Sequence, residues 1–414
     1  MPDRSKPRFF YGYIVVAAGL IASILIIGPF VSFSVFFKPL SSELGWMRAT
    51  TSVATSIAAL VMGFAAIVAG RITDKYGPRV VLIAGGLFMG LGNVLMSQVN
   101  AIWQLYLSYG VLVGIAMGAA DVPIGATIAR WFVKKRGMMI GITKVGAGIG
   151  IMVAPLLANW LISGYGWRNA YLVIGILALV GIIAVALLFK RDPSQIGELP
   201  DGASEVEVTD LNSSPRQFSV REAMATKQFW VFCAVWSIHI FCIQVVMLHI
   251  VPHVTDLGIS ATVAASVLSV TGAFSIAGRL GLTSLSDILG ARASYVISFS
   301  LMAISFVLIQ FAAEAWMFYL FAAVYGVAHG ANFALLSPMV AELFGLQTLG
   351  SMLGTILLVG TFGGLISPVL AGRVFDTAGT YQPVFITDLV ASVIAILLML
   401  FLKPTGKEVS GRTS

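Results

Sequence analysis

The sequence predicts an all-α membrane protein with twelve transmembrane helices in two pseudo-symmetric halves of six. Three observations predict it: a composition poor in charge, a series of charge-free runs long enough to span a bilayer, and residues that recur at one constant offset. Of 414 residues, 58% are hydrophobic and 10% are Asp, Glu, Lys or Arg, whereas a soluble domain carries about 25% charged residues. That leaves too little charge to clothe a water-facing surface, and the mean hydropathy of +0.95 agrees. Soluble architectures are excluded on this ground. The two cysteines, Cys233 and Cys242, share one apolar run and form no CxxC pair, so neither a disulfide framework nor a structural zinc site is supported.

No Asp, Glu, Lys or Arg stands between Arg8 and Lys38, Arg48 and Arg71, Lys227 and Asp256, or Glu342 and Arg373. Each run holds the roughly 20 apolar residues a helix needs to cross about 30 Å of hydrocarbon. A longer run between Arg79 and Asp121, broken by Ser97, Gln98 and Asn100, reads as one helix, a tight turn and most of a second. The same reading along the chain places helices near 11–37, 47–71, 80–98, 102–131, 137–163, 169–190, 228–255, 261–285, 292–312, 316–343, 348–372 and 381–402. The basic segment Met1 to Arg8 precedes an apolar run too long for a signal peptide, without a small-residue cleavage site, so the first span reads as retained.

These spans divide into an N-terminal six-helix bundle (1–190), a linker (191–227), a C-terminal six-helix bundle (228–403) and a tail (404–414). From Arg191 to Arg221 the linker is rich in Pro, Ser and acidic residues and lacks helical periodicity, as a solvated connection should. With both termini in the cytoplasm, Arg4, Lys6, Arg8, Arg71, Lys75, Arg79, Arg130, Lys134, Lys135, Arg136 and Arg292 fall on that side, and only Lys38, Arg48, Arg168 and Arg373 fall opposite. This is the positive-inside asymmetry. The net charge of +7 is thereby a topology signal rather than the mark of a nucleic-acid partner, and the expected location is the cell (inner) membrane.

The halves align at one offset. Asp74, Gly77 and Arg79 recur 213 residues on as Asp287, Gly290 and Arg292. The same step carries Pro39 to Pro252, Trp103 to Trp316, Tyr106 to Tyr319, Gly141 to Gly354 and Pro155 to Pro368. Six spans per half is an even number, so the halves share one orientation about an axis along the membrane normal. Parallel repeats of this kind are a transporter architecture, with the substrate site between the halves near the midplane.

The run Gly70-Arg71-Ile72-Thr73-Asp74-Lys75-Tyr76-Gly77-Pro78-Arg79 resembles the loop signature between the second and third helices of the major facilitator superfamily, with a partial copy at Asp287, Gly290 and Arg292. The resemblance covers nearly the whole chain and implies the major facilitator fold. Within that superfamily, Val35-Phe36-Phe37-Lys38-Pro39-Leu40 followed by Leu44-Gly45-Trp46, the segment Arg130 to Gly137, and Gly278-Arg279 are similar to prokaryotic members of the monocarboxylate porter family. The resemblance implies that the loop motifs latch the outward-facing state, through Asp74, Arg79, Asp287 and Arg292, with Arg130 and Glu342 as further partners.

Charge inside a span is costly and lines a cavity or pairs with opposite charge. Asp121, Lys144 and Arg279 lie at similar depth, each about 10–13 Å in from the basic ends of their helices. At the repeat offset their equivalents are Ala334, Leu357 and Ala66. A scaffold role should survive duplication, so the asymmetry favours function. Arg279 corresponds to the helix-8 arginine that, by the resemblance, binds the substrate carboxylate, and a planar guanidinium suits bidentate recognition. Lys144 either adds a second cation or neutralises Asp121; in the second case one net positive charge remains and a monocarboxylate fits better. The family's animal members carry a helix-1 lysine where this chain has Val31, and a helix-8 aspartate where it has Ser275. Ser275 stays a substrate-site candidate, but the proton-coupling carboxylate of that scheme is absent.

Histidine titrates near physiological pH, so His249 and His329 join Asp121 as proton-coupling candidates, with plain packing as the alternative for each. Phe333 and Phe362 are candidate walls for the apolar end of a substrate, again against ordinary aromatic packing. His239 and Asp388 receive no role. Gly146-Ala147-Gly148-Ile149-Gly150 has no preceding strand and no following Lys-Ser or Lys-Thr, so it reads as helix packing rather than a nucleotide loop. The expected function is secondary transport of small organic anions: proton-coupled symport of a lactate- or pyruvate-like monocarboxylate by alternating access. A carboxylate exchanger of the oxalate or formate type and a non-transporting anion sensor are the alternatives. No enzymatic activity, metal or cofactor is expected, with the proton as coupling ion. The expected partners are a small carboxylate and the lipid bilayer, with the chain a monomer.

Overall fold

The computed structural model describes residues 10–202, 220–345 and 349–402. The expected tail 404–414, the first basic residues Arg4, Lys6 and Arg8, and the middle of the linker lie outside the described residues. The described chain is helical, with no strand among the described residues. Its membrane-length helices are α1 (Gly12–Leu44), α2 (Arg48–Tyr76), α3 (Pro78–Met96), α4 (Ile102–Trp131), α5 (136–165) and α6 (167–186) in the first half. The second half holds α7 (Lys227–Asp256), α8 (Ala261–Leu289), α9 (Ala291–Gln310), α10 (Ala315–Phe344), α11 (Leu349–Ala378) and α12 (Gln382–Phe401). Helices α5 and α6 follow each other directly, separated by a kink at Gly166, whose φ of 79° is non-helical.

Helices run past the apolar stretches because their charged ends project beyond the hydrocarbon. Thus α1 continues through Lys38 and Pro39 to Leu44, and α2 through Arg71 to Tyr76. The fourth span departs from a plain helix: Tyr106–Val113 is a π-helical stretch, and the chain turns at Ala119 and Ala120 before Asp121–Trp131 resumes. Asp121 therefore opens a helical segment, where the N-terminal dipole favours a carboxylate. Within the linker, Pro193–Ile196 and Val220–Met224 form short helical turns that periodicity does not predict.

The repeat is visible in the backbone. Gly77 and Gly290, at φ 89° and 84°, make the same turn in both halves, and so do Gly166 and Gly379, at 79° and 70°. A side chain at any of these four would be strained, which explains why the turn glycines persist through the duplication. Contacts between halves obey the same symmetry: α2 packs on α11, α8 on α5, and α1 meets α7.

The halves do not touch evenly along their length. Toward the face opposite the basic loops, called the far face below, Asn159 donates to Thr262 at 3.1 Å, Ser56 to the Leu365 carbonyl at 2.6 Å and Ser34 to the Leu248 carbonyl at 2.7 Å. At mid-depth, a Cβ on Gly272 would stand 2.5 Å from the Met152 amide nitrogen, so α8 and α5 touch backbone to backbone. Two turns nearer the basic face the contact has gone. Gly141 shares a face of α5 with Gly148, and Gly354 a face of α11 with Thr361, yet a Cβ added to either would meet no other element within 4 Å. The halves are splayed at the basic face and sealed at the far face.

Candidate functional site

At the depth where contact between the halves ends, α4, α5 and α8 bring Asp121, Lys144 and Arg279 together. Lys144 Nζ lies 2.6 Å from Asp121 Oδ1, and their side chains are 45% and 68% exposed. Exposure at mid-helix places the pair on the cleft that opens at the basic face. Arg279 is buried, at 9% exposure, and follows Gly272 by two turns on the same face of α8. One of its terminal nitrogens donates to the Lys144 carbonyl, across the interface between the halves. Its Nε has no hydrogen-bond partner, and no carboxylate pairs with it among the described residues. The preceding Gly278 lets α8 lie against the Val327 backbone of α10, which fixes the arginine's base. The site thus presents one guanidinium with donors to spare, beside an ion pair of no net charge.

The other sequence candidates fall in different places. Ser275 is fully buried, donates to the Gly272 carbonyl at 2.7 Å and packs on Gly148. Phe333 forms an edge contact with His329 at 5.3 Å between centroids and is partly exposed. Phe362 is 60% exposed, and no contact places it beside Arg279. His329 is buried with neither ring nitrogen hydrogen-bonded. His249 lies far from it, held by the Tyr381 hydroxyl and the Pro368 carbonyl at 3.1 Å each.

The loop residues make their contacts inside their own halves. Asp74 pairs with Arg130 at 3.1 Å. Arg79 donates to the Leu187 and Phe189 carbonyls, and Arg292 to those of Met399 and Leu400, so each caps the last helix of its half. Glu342 accepts from the Ala291 amide at 2.9 Å, and Asp287 makes no ion pair among the described residues.

Sequence reasoning missed a second constellation, at the far face. Arg48 donates to both oxygens of Asp256, at 2.6 and 2.9 Å, and to the Tyr381 hydroxyl at 2.9 Å. Its guanidinium carbon lies 3.5 Å from the Phe375 ring centroid. Lys38 joins Asp256 at 2.8 Å, and Asp376 accepts from the Arg48 and Ala49 amides at 3.0 and 2.8 Å. Every one of these contacts crosses between the halves. A signal was present: the 213-residue offset carries Glu43 to Asp256 and Arg168 to Tyr381. Glu43 pairs with Arg168 inside its own half, whereas tyrosine in the second copy leaves Asp256 for Arg48.

Comparison with known proteins agrees with this geometry. A family model described as Major Facilitator Superfamily matches residues 18–287 and 238–414. Among curated proteins, Monocarboxylate transporter 13 of Rattus norvegicus is 27% identical over 91% of this chain and 85% of its own length. Monocarboxylate transporter 2 of Homo sapiens is 26% identical over 93% of this chain and 84% of its own length. Among solved structures, a bacterial homologue of the human lysosomal transporter Spinster, inward-facing and occupied, superposes with a TM-score of 0.71 at 16% identity. That match covers 96% of this chain and 97% of the other, and bears on the fold alone.

Proposed function

Because the chain belongs to the Major Facilitator Superfamily, and is thus a transporter rather than an enzyme, we propose that it carries small monocarboxylates with protons by alternating access. The observation behind this reading is the balance of charge at mid-depth. Asp121 neutralises Lys144, and Arg279 is left as a cation without a carboxylate partner among the described residues. A carboxylate supplies what Arg279 lacks: two acceptors in the plane of the fork. One net positive charge suits a monoanion, and the names of the curated relatives point to the same substrate class. The charge asymmetry of the loops supports a cytoplasmic basic face in the cell membrane. The open cleft is then the inward one, and the Arg48–Asp256 cluster is the closed outer gate.

The test uses purified protein. A ligand that binds only the native state raises its melting temperature, so lactate or pyruvate should do so and a dicarboxylate should not. Arg279→Lys keeps the charge but not the fork, and should lose the shift; near wild-type uptake by that variant would remove Arg279 from the site. Proteoliposomes holding buffer alone should accumulate the anion when the outside is acidified. Uptake that demanded an anion on the opposite side would establish exchange in place of symport.

A further inference from the structure

The second half contains a row of buried polar groups that the substrate site does not use. Asp388 of α12 is fully buried, with neither carboxyl oxygen hydrogen-bonded. It lies about 9 Å in from the start of its helix, and no cation pairs with it among the described residues. From α7 the Cys242 thiol, and from α10 the Tyr325 phenol, lie within electrostatic reach of it. Cys242 also approaches the Asp388 backbone carbonyl at 3.8 Å, and the Tyr325 hydroxyl makes no hydrogen bond. Of the other titratable side chains on the helices packed on α12, His253 of α7 lies on the Phe385 ring, one turn before Asp388, with centroids 5.1 Å apart, and His249 is bonded to Tyr381 and Pro368. Those of α9 are Arg292 and Tyr295, bonded to the Met399 and Asn332 carbonyls, and those of α11 are Arg373 and Asp376, at the far face.

The row continues toward Arg279. One turn along α10, His329 stacks on Tyr325 with ring centroids 6.1 Å apart, its two nitrogens unpartnered. His239 of α7 lies 6.5 Å from it, bonded through Nδ1 to Asn332. The Arg279 guanidinium is within electrostatic reach of the same imidazole. An unpaired carboxylate sealed among apolar helices is costly, whereas its neutral acid is tolerated. Each orphaned buried polar group is also destabilising. A packing role would favour apolar residues at all of these positions.

We propose that Asp388 is a proton-binding carboxyl of this carrier, connected to the Arg279 site through Tyr325 and His329. The inference rests on the carboxylate-carrier reading and adds the group that holds the proton. None of the three is hydrogen-bonded to the next in this state, so the relay closes only when α7, α10 and α12 shift during the cycle; the Asp388 O–H then gives its proton to the Tyr325 oxygen as the phenol passes its own to a His329 nitrogen. A carboxylate and an imidazolium result from a neutral acid and a neutral imidazole, and the phenol is unchanged. An anion on Arg279 favours the imidazolium, which couples substrate to proton.

The experiment compares wild type with Asp388→Asn, which keeps the shape and removes the proton. The variant should retain the melting shift with lactate and exchange lactate across the membrane, yet lose accumulation driven by an acidic exterior by tenfold or more. Its exchange rate should also lose its dependence on pH. Tyr325→Phe should slow accumulation while leaving the lactate shift intact. Acid-driven accumulation by Asp388→Asn at the wild-type level overturns the proposal. If that variant fails to fold, infrared spectra of wild type carrying carbon-13 aspartate decide. A protonated-carboxyl band that moves on adding lactate supports the site, and its absence overturns it. Failure of wild type itself to bind or transport carboxylates would instead overturn the carrier reading.

Discussion

If the Arg48–Asp256 cluster is the outer gate of the proposed carrier, removal of Arg48 should reverse which face is open. Its side chain is 13% exposed and that of Asp256 21%, so their pairing is largely shielded from water. A hydrogen bond to a charged group contributes about 1.5–3 kcal/mol, and a guanidinium over an aromatic ring adds about 0.5–1 kcal/mol. Lys38 stays 2.8 Å from Asp256 in the variant and keeps that carboxylate partly satisfied, which holds the expected loss to about 2–3 kcal/mol. At about 1.4 kcal/mol per factor of ten, Arg48→Ala should shift the population toward far-face opening by about 30- to 150-fold. Ser56, buried against the Leu365 carbonyl on α11, reports the change when replaced by cysteine in a background lacking Cys233 and Cys242. A membrane-impermeant thiol reagent should modify Ser56→Cys at least about 30-fold faster once Arg48 is gone, and Gly141→Cys at the basic face more slowly. Asp256→Asn should act in the same direction. Unchanged labelling at both reporters in a folded Arg48→Ala protein would refute the gate.

Further expectations follow from the same geometry. Lys144→Gln leaves Asp121 unneutralised beside Arg279 and should weaken lactate binding more than the double variant Lys144→Gln with Asp121→Asn, as titration of the melting shift will show; equal loss in both would make Lys144 a direct ligand. Asp74→Asn breaks only a pair within the first half in the open-basic-face state, where exposed pairs contribute about 0–1 kcal/mol. It should therefore slow turnover by weakening the opposite state while lactate binding persists, and unaltered uptake would leave Asp74 as a topology signal. His249→Gln should disturb the far-face gate through Tyr381 and raise Ser56→Cys labelling, whereas His329→Gln should impair acid-driven accumulation without changing labelling.

Much of the architecture was legible because a bilayer imposes it on sequence. A span must be apolar for about 20 residues and must satisfy its own backbone, so charge-free runs delimit the helices and the 213-residue offset shows the duplication. Asp121, Lys144 and Arg279 stood out for the same reason: charge at mid-span is too costly to be incidental. Glycines at positive φ mark the turns of both halves, since no other residue occupies them without strain.

Pairing between helices distant in sequence was decided only in three dimensions. Lys144 had two partners open to it until α4 broke at Ala119 and Ala120 and set Asp121 at the head of a new segment. Arg48 and Asp256 sit at the ends of spans, where charge is ordinary, and 208 residues apart. The repeat shows only that Asp256 lacks the arginine its counterpart Glu43 has, because Tyr381 stands where Arg168 does in the first half; packing of the two halves is what brings Arg48 to it. Asp388 is the converse case. Its residue type was visible, but its isolation from water and from any cation among the described residues depends on α7 and α9 packing on α12. Sequence by itself determined the spans, the repeat and the few charges that the membrane makes expensive, because each follows from local solvation. Tertiary structure decided which charges meet, which face is sealed and which acid stands alone, because those depend on the distance between helices that chain order leaves free.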